Sequence, residues 1–394
     1  MATSSNLVRV AVIEETTYGV LPVAGNFSTA RFTSEALSGT PTTVESQQIR
    51  IDRMSSGQVV VGLELQGALN FELAKEGPLD LFMASAMYSD WTTQSLVTVA
   101  LTISTLDTLT RASGDWSATL AVGDIVTLAA FAGATNNVQI MVTEVTSATV
   151  LKFVGPEGIV NEVGVSTTYK RADKLSIGTT KKSFSLEKKF TDLTTKGINY
   201  LGMIASELNV EVAFGDLITG SVTFSGNDYT TADTAGELIT NGRTVNAAAT
   251  TQTLNGSVDM PFIATSALGT FSTTGLQIQS VSIGLNNNVS PQNVIGNLAP
   301  VDYTPGTAQI EVGISAYLTN EVWPILASKI SQASFGVGFM VKNSGGYYGF
   351  FMPAVQVSFE DPSSGGQNQD IILDMQGTGK VGALGESALV IYRG

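Results

Sequence analysis

The chain has 394 residues, of which 14% are charged and 43% hydrophobic, with a net charge of −14 and neither cysteine nor histidine. The missing residue types exclude disulfides, Cys- or His-ligated zinc, and catalysis by a thiolate–imidazole pair or a Ser-His-Asp triad. The acidic balance argues against adhesion to nucleic acid, which needs Lys and Arg to replace counterions, but not against nucleic acid passing nearby.

The charged fraction is low beside the ~25% of a typical domain. It predicts that partners cover much of the exterior. The alternative is a secreted β-protein with a Thr- and Ser-rich surface. The N-terminus has no charged-then-apolar signal pattern, and no apolar run approaches the ~20 residues of a membrane helix. We therefore expect a soluble protein that is made in a cytoplasm and has no membrane partner.

Most predicted elements are strands, because apolar and polar residues alternate over long stretches. In chain order, the clearest alternation is found in Val59–Leu73, Leu208–Phe214, Ser221–Gly226, Leu276–Leu285 and Ala308–Leu318. Two helices are predicted from apolar residues at helical spacing, namely Glu76–Met87 (Leu79, Phe82, Met83, Ala86) and Thr319–Ile330 (Val322, Ile325, Leu326, Ile330).

The two predicted helices occupy matching places in an internal repeat. Each follows a long alternating strand pair and precedes a strand that begins Ser-Phe, at Ser183 and at Ser334. The alternating stretches Tyr200–Gly226 and Tyr347–Gly377 then follow. The order strand–strand–helix–strand–strand–strand occurs twice, which predicts a duplicated unit.

The first copy contains a stretch before Ser183 that has no counterpart in the second. Its short strands, separated by Gly-Asp and Asn-Asn turn signals, predict a small β-barrel inserted at an exposed loop. A segment rich in Thr, Ala and Asn separates the copies. We expect a first domain of residues 1–92 plus 176–235, an outward-facing insert of 93–175, a linker of 236–253 and a second domain of 254–394.

Four stretches together resemble one protein family. They are "EETTYGVLP", "LELQGALNFELAKEGPLDLFMASAM", "GDWSATLAVGDIVTL" and "SIGLNNNVSPQNVIGNLAPVDYTPG". They are similar to the major tail tube proteins of long, flexible-tailed bacteriophages (siphoviruses), over essentially the whole chain. The resemblance implies a mainly β fold. It would contain two tandem tail-tube domains, each a β-sandwich or half-barrel with one flanking helix, and the small β-barrel-like insert in the first.

The resemblance also implies a function and partners. Family members form rings that stack around a tape measure protein, and the emptied tube conducts DNA into the host. With two domains in each chain, we expect three chains to form a ring of pseudo-sixfold symmetry. Other expected partners are tail terminator and tail tip proteins at the ends and double-stranded DNA that passes without specific binding. The protein would be assembled in the bacterial cytoplasm, lie in the virion tail and use no cofactor or metal.

Three acidic residues on the strands that resemble the family's inner sheet are candidates for the lumen wall: Glu64, Glu72 and Glu311. The alternative is that they are solvated carboxylates of the outer face.

Two long polar loops, Thr40–Gln58 and Asn286–Gly306, occupy equivalent places in the two copies, and each leads into the inner strand pair. Long loops are usually functional or interfacial. We expect contacts between stacked rings there, from Arg50, Asp52, Arg53, Asn287 and Asn288. A mobile surface loop is the alternative.

Signs of catalysis are weak. "GTGKVG" at Gly377–Gly382 leaves too few residues for a dinucleotide-binding unit. The neighbouring carboxylates Glu14-Glu15 and Glu360-Asp361 point to opposite faces of a strand and do not converge. We therefore expect no enzyme. A surface protein that binds carbohydrate and a glycosidase that uses only carboxylates remain as alternatives.

Overall fold

The computed structural model describes residues 3–258, 260, 262–265, 277–327, 330–331, 333–364, 366–367, 369–383 and 385–394. Within them the chain is mainly β, with two α-helices, as predicted. No helix among these residues is long and apolar enough to cross a membrane.

The elements before the insert are β1 (Val8–Glu14), β2 (Phe27–Thr29), β3 (Ser34–Glu35), β4 (Ser38–Glu45), β5 (Gln58–Glu72) and α1 (Gly77–Ala86). The insert contains β6 (Val97–Thr98), β7 (Leu101–Ser104), β8 (Thr108–Arg111), β9 (Ile125–Ala129), β10 (Gln139–Val145), β11 (Val150–Val154), β12 (Glu162–Val163) and β13 (Thr168–Arg171).

The chain then returns with β14 (Asp173–Ser176), β15 (Phe184–Phe190), β16 (Gly197–Ala213), β17 (Thr219–Gly226), β18 (Asp228–Ala232) and β19 (Val245–Asn246). The remaining elements are β20 (Phe262–Thr265), β21 (Ile278–Asn286), β22 (Ser290–Gln292), β23 (Asp302–Thr304), β24 (Gln309–Tyr317), α2 (Trp323–Ala327), β25 (Phe335–Asn343), β26 (Gly346–Ser358), β27 (Ile372–Lys380) and β28 (Val390–Arg393). We call β1–β5, α1 and β14–β19 the first half, and β20–β28 with α2 the second half.

The two halves repeat one strand order. In the first half the antiparallel order is β1-β15-β16-β17-β5-β4. In the second half it is β20-β25-β26-β27-β24-β21. A further strand adds to each, β18 on β16 and β28 on β26. Equivalent strands thus have the same neighbours and the same directions, as the repeated sequence pattern predicted.

The helices follow their predictions to different extents. The four apolar residues predicted for one face of α1 are all buried. α2 is shorter than predicted. Val322 and Ile325 are buried, but Ile330 is 96% exposed, so it does not share their buried face as its helical spacing predicted. The same first-turn hydrogen bond forms in both places, from Asp80 N–H to Glu76 O at 3.2 Å and from Trp323 N–H to Thr319 O at 3.1 Å.

The strands of the insert follow the order β7-β8-β11-β10-β9-β13. The insert closes into a small barrel because β13 also pairs with β6, and β12 pairs with β7. Trp116 is fully buried in its core. The insert is not only outward-facing, because Ile125 and Met141 pack against Phe351 and Tyr392 of the second half.

The predicted linker is not a free connection. Thr240 donates from its backbone N–H and its hydroxyl to the buried Glu187 carboxylate at 2.8–2.9 Å. Leu254 is buried beside Leu73 and Ile218, with which it exchanges backbone hydrogen bonds. Residues 236–255 therefore pack on the first half. The equivalent outer surface of the second half, on β25, β26 and β28, is covered by the insert.

Candidate functional site

One sheet runs through both halves. β16 of the first half pairs with β21 of the second, from Glu207 opposite Asn286 to Ala213 opposite Ser280. The result is the continuous series β4-β5-β17-β16-β21-β24-β27-β26, which we call the inner sheet. β4 and β26 are the end strands of this series.

The two faces of the inner sheet differ chemically, because side chains alternate along each strand. One face is apolar and buried, with residues such as Leu69, Val222, Leu208, Ile283 and Val312 in the largest core. The other face is polar, and its members are Glu64, Gln66, Asn70, Glu72, Glu207, Asn209, Glu211, Ser282, Gln309, Glu311, Asp374, Gln376, Thr378 and Ser358.

The polar face brings together the three acidic residues predicted from the sequence. Glu64 and Glu311 are exposed, and Glu72 is half-buried and accepts a hydrogen bond from Thr253 at 3.3 Å. Sequence reasoning missed Glu207, Glu211 and Asp374 on the same face. The alternation in "ELNVEVAF" already marked the first two as opposite to a buried face.

This face is hollowed where the two halves join. A depression of about 500 Å³ is lined by Asn70, Asn209, Glu211, Ser282 and Glu311, among others. Lys380, at the end of β27, is the basic residue that shares the face. The described part of the inner sheet therefore presents a polar, predominantly acidic surface that spans both halves.

The first predicted loop, Thr40–Gln58, forms the end of a protruding β-hairpin. β4 continues to Glu45 and β5 begins at Gln58, so the loop itself is residues 46–57. A long loop is thus present at residues 46–57, whereas Thr40–Glu45 belong to β4, because Thr- and Val-rich sequence favours strands. Val44 and Val59–Val61 on the hairpin and Ile49, Ile51 and Met54 in its loop are exposed.

Within that loop, the predicted contact residues interact with one another. Arg50 donates from Nε to Asp52 Oδ1 at 3.0 Å and also contacts Oδ2, and this ion pair lowers the pKa of Asp52. Arg53 is exposed and has a positive φ of 60°.

The second predicted loop, Asn286–Gly306, folds back on the first half. Asn287 is only 3% exposed, and its Nδ2 donates to Ala86 O at 2.8 Å. Tyr303 Oη donates to Gly226 O at 3.0 Å, and Lys181 forms an ion pair with Asp302. The side chain of Asn287 therefore makes its contacts within the chain, and the expectation that it contacts an adjacent ring is wrong. Asn288 is exposed and donates to Thr307 O.

The comparison with protein families agrees with this architecture. The family model described as phage tail tube protein matches residues 5–379. The chain belongs to this family. A search of curated proteins returned no match.

Membership assigns the tail tube protein a structural role in the virion tail, where it self-assembles into a tube. The tail tube family is generally non-enzymatic. In this tail tube protein the carboxylates of Glu14-Glu15 are engaged within the fold, since Glu15 is buried and accepts hydrogen bonds from Ser183, Ser185 and Gly202, while Glu14 pairs with Lys182. Among the described residues, no group of three or more carboxylates could hold a metal ion.

Proposed function

We propose that three chains close into a ring and that the rings stack into the tube of a flexible-tailed phage, through which the genome reaches the host. The β16–β21 pairing is the single observation that supports this most. It already joins two equivalent units edge to edge within one chain. A repeated head-to-tail contact closes into a ring when the rotation between units divides a full turn, and closure also protects the sheet edges.

The intrachain junction serves as a template for the junction between chains. The equivalent of β16 is β26, and the equivalent of β21 is the β3–β4 segment. We therefore propose that β26 of one chain pairs with β3–β4 of the next. Two units in each chain then yield six units from three chains, in domains that correspond to residues 1–92 plus 176–235 and 254–394.

A residue register follows from the strand partners. Leu208 lies opposite Leu285 in the junction within the chain. In the second half, Val357 corresponds to Leu208. One strand, β17, separates Leu208 from β5, and one strand, β27, separates Val357 from β24, and the positions reached in β5 and β24 are equivalent. Leu37 corresponds to Leu285, because Leu37 lies beside Gly67, Leu285 lies opposite Ile310, and Gly67 and Ile310 are equivalent positions. We propose that Val357 lies opposite Leu37 of the neighbouring chain.

In such a ring the polar face of the inner sheet would line the lumen. Glu64, Glu72 and Glu311, with Glu207 and Glu211, would make the wall acidic and would repel DNA phosphates. DNA would then pass without specific binding, and the tape measure protein would occupy the same channel before ejection. Charge of one sign along a channel acts over several ångströms at low salt.

The exposed hairpin supports a contact between stacked rings. Its apolar residues Ile49, Ile51 and Met54 are the kind of surface that partners cover. We propose that this loop, with Arg50, Asp52 and Arg53, meets the adjacent ring together with Asn288. Terminator and tip proteins would bind the same surfaces at the two ends of the tube, after assembly in the bacterial cytoplasm.

Negative-stain microscopy of concentrated protein, with native mass spectrometry of rings released from it, tests the proposal. We expect hollow striated rods and rings of three chains. Rings of six chains would contradict the count, and a protein that stays monomeric at all concentrations would contradict the assembly.

A further inference from the structure

Two residues at equivalent helix positions have opposite surroundings. Asp80 in α1 and Trp323 in α2 make the same first-turn backbone hydrogen bond, and each is followed two residues later by a buried apolar side chain, Phe82 or Ile325. Yet Asp80 is 7% exposed and Trp323 is 57% exposed. An exposed Trp at a position that is buried in the sister unit needs a physical reason.

Asp80 is buried because the second half covers it. Its Oδ1 accepts a hydrogen bond from Tyr348 of β26 at 2.7 Å, and its Oδ2 lies 2.8 Å from Arg393 of β28. Tyr348 and Arg393 lie opposite each other in the β26–β28 pair. The helix of one unit therefore contacts the paired strands of the following unit, on the side of the junction away from the polar face.

We propose that Trp323 is the main apolar anchor between chains and that it packs on the β16–β18 pair of the next chain. The proposal rests on the ring proposed above, in which the second half of one chain precedes the first half of the next. Trp323 then occupies at the chain–chain junction the place that Asp80 occupies within the chain.

The receiving surface lies on β16–β18, the strand pair equivalent to β26–β28. On this pair the fully buried Tyr200 lies opposite Tyr229. Tyr200 and Tyr229 form an edge-on aromatic pair with centroids 5.7 Å apart. Tyr229 is half-buried and its neighbour Asp228 is exposed. A Trp that docks on a Tyr ring buries a large apolar area and has favourable ring geometry available.

The two junctions differ in chemistry, and this keeps the units in order. Within the chain, Asp80 meets Arg393 and Lys75, a charged contact. Between chains, Trp323 would meet Tyr229. An Asp80 helix placed on Tyr229 would leave the Asp80 carboxylate without Arg393, so the incorrect order of units is disfavoured.

Assembly measured by sedimentation tests the anchor. Buried Trp anchors typically contribute 2 kcal/mol or more, so Trp323→Ala should raise the critical concentration for tube formation about thirtyfold. The melting temperature of the unassembled chain should stay the same, because Trp323 is exposed there. The control Val165→Ala, an exposed apolar residue of the insert, should leave assembly unchanged. An unchanged critical concentration for Trp323→Ala would overturn the proposal.

Cross-linking locates the contact, and the chain has no native cysteine to interfere. Chains with Trp323→Cys, mixed with chains with Thr231→Cys and treated with a short bismaleimide, should form covalent dimers in tubes, because the exposed Thr231 shares the face of Tyr229. Ser38→Cys mixed with Gln356→Cys, which the proposed register places opposite each other, tests the strand junction in parallel. If only the strand pair cross-links, the Trp323 anchor is wrong and the ring stands. If neither pair cross-links and no tubes form, the ring itself is wrong.

Discussion

The Asp80 carboxylate joins the two halves of the chain, because it accepts a hydrogen bond from Tyr348 at 2.7 Å and ion-pairs with Arg393 and Lys75. Asp80→Ala would leave the half-buried Lys75 without its carboxylate and Arg393 with only Asp173, so we expect a loss of about 3 kcal/mol in the free energy of unfolding. Tyr348→Phe removes one hydrogen bond and keeps both ion pairs, and should cost about 1 kcal/mol. Denaturant unfolding of the monomer measures both, and equal costs would contradict the central role of the carboxylate.

Glu76, beside the start of α1, predicts a pH-dependent stability. Burial raises the pKa of its carboxyl to about 7, against the opposing effect of Arg31. Below the ordinary carboxyl pKa the group is neutral in both states and has no effect. As the pH rises towards 7 the unfolded state ionises first, so the folded state loses stability. Glu76→Gln should therefore stabilise the protein at pH 8, by at most about 3 kcal/mol, and leave it unchanged near pH 4.

The control for that experiment is Glu321→Gln, at an exposed position near the start of α2. It should change the free energy of unfolding by no more than ~0.5 kcal/mol at either pH. A Glu76→Gln variant whose effect is the same at pH 4 and pH 8 would show that the burial of an ionised carboxylate is not the cause.

The close contact between Gly349 and the insert predicts how the docking of the insert responds to mutation. A Cβ at this position would overlap Ile125 Cδ1 of the insert. Gly349→Ala should therefore destabilise the docked insert by about 1–3 kcal/mol, the usual cost of overpacking. Ile125→Val removes the overlapping methyl group, so the double variant should recover part of the loss. Limited proteolysis of the insert, with thermal unfolding, measures both effects, and a double variant less stable than Gly349→Ala alone would contradict this contact.

The acidic polar face predicts an effect on DNA passage. In assembled tails, Glu64→Lys with Glu311→Lys should slow genome ejection at low salt, because the wall would then attract phosphates. The effect should shrink at high salt, where the Debye length falls to about 3 Å. Glu157→Lys, on the exposed surface of the insert, is the matched charge reversal and should leave ejection unchanged. Equal ejection rates for all three proteins at low salt would place the acidic face outside the channel.

Much of the fold could be predicted from local patterns. Alternation marked the strands on either side of α1, because burial of one sheet face imposes a period of two on any strand. The apolar residues of α1 showed its buried face, and the repeat of these patterns revealed the duplicated unit. The prediction was weaker for α2, where Ile330 had the spacing of a core residue but lies beyond the end of the helix.

Contacts between distant parts of the chain left no such pattern. The pairing of β16 with β21, the burial of Asn287 against Ala86 and the docking of Ile125 beside Gly349 each join segments far apart in sequence. Their formation depends on how two complete units pack, and a polar residue such as Asn287 looks the same in sequence whether it faces water or a buried carbonyl. The residue types along the chain thus determined the repeated β units and their acidic face. The three-dimensional packing determined how those units join, because long-range strand pairing depends on surfaces that exist only after folding.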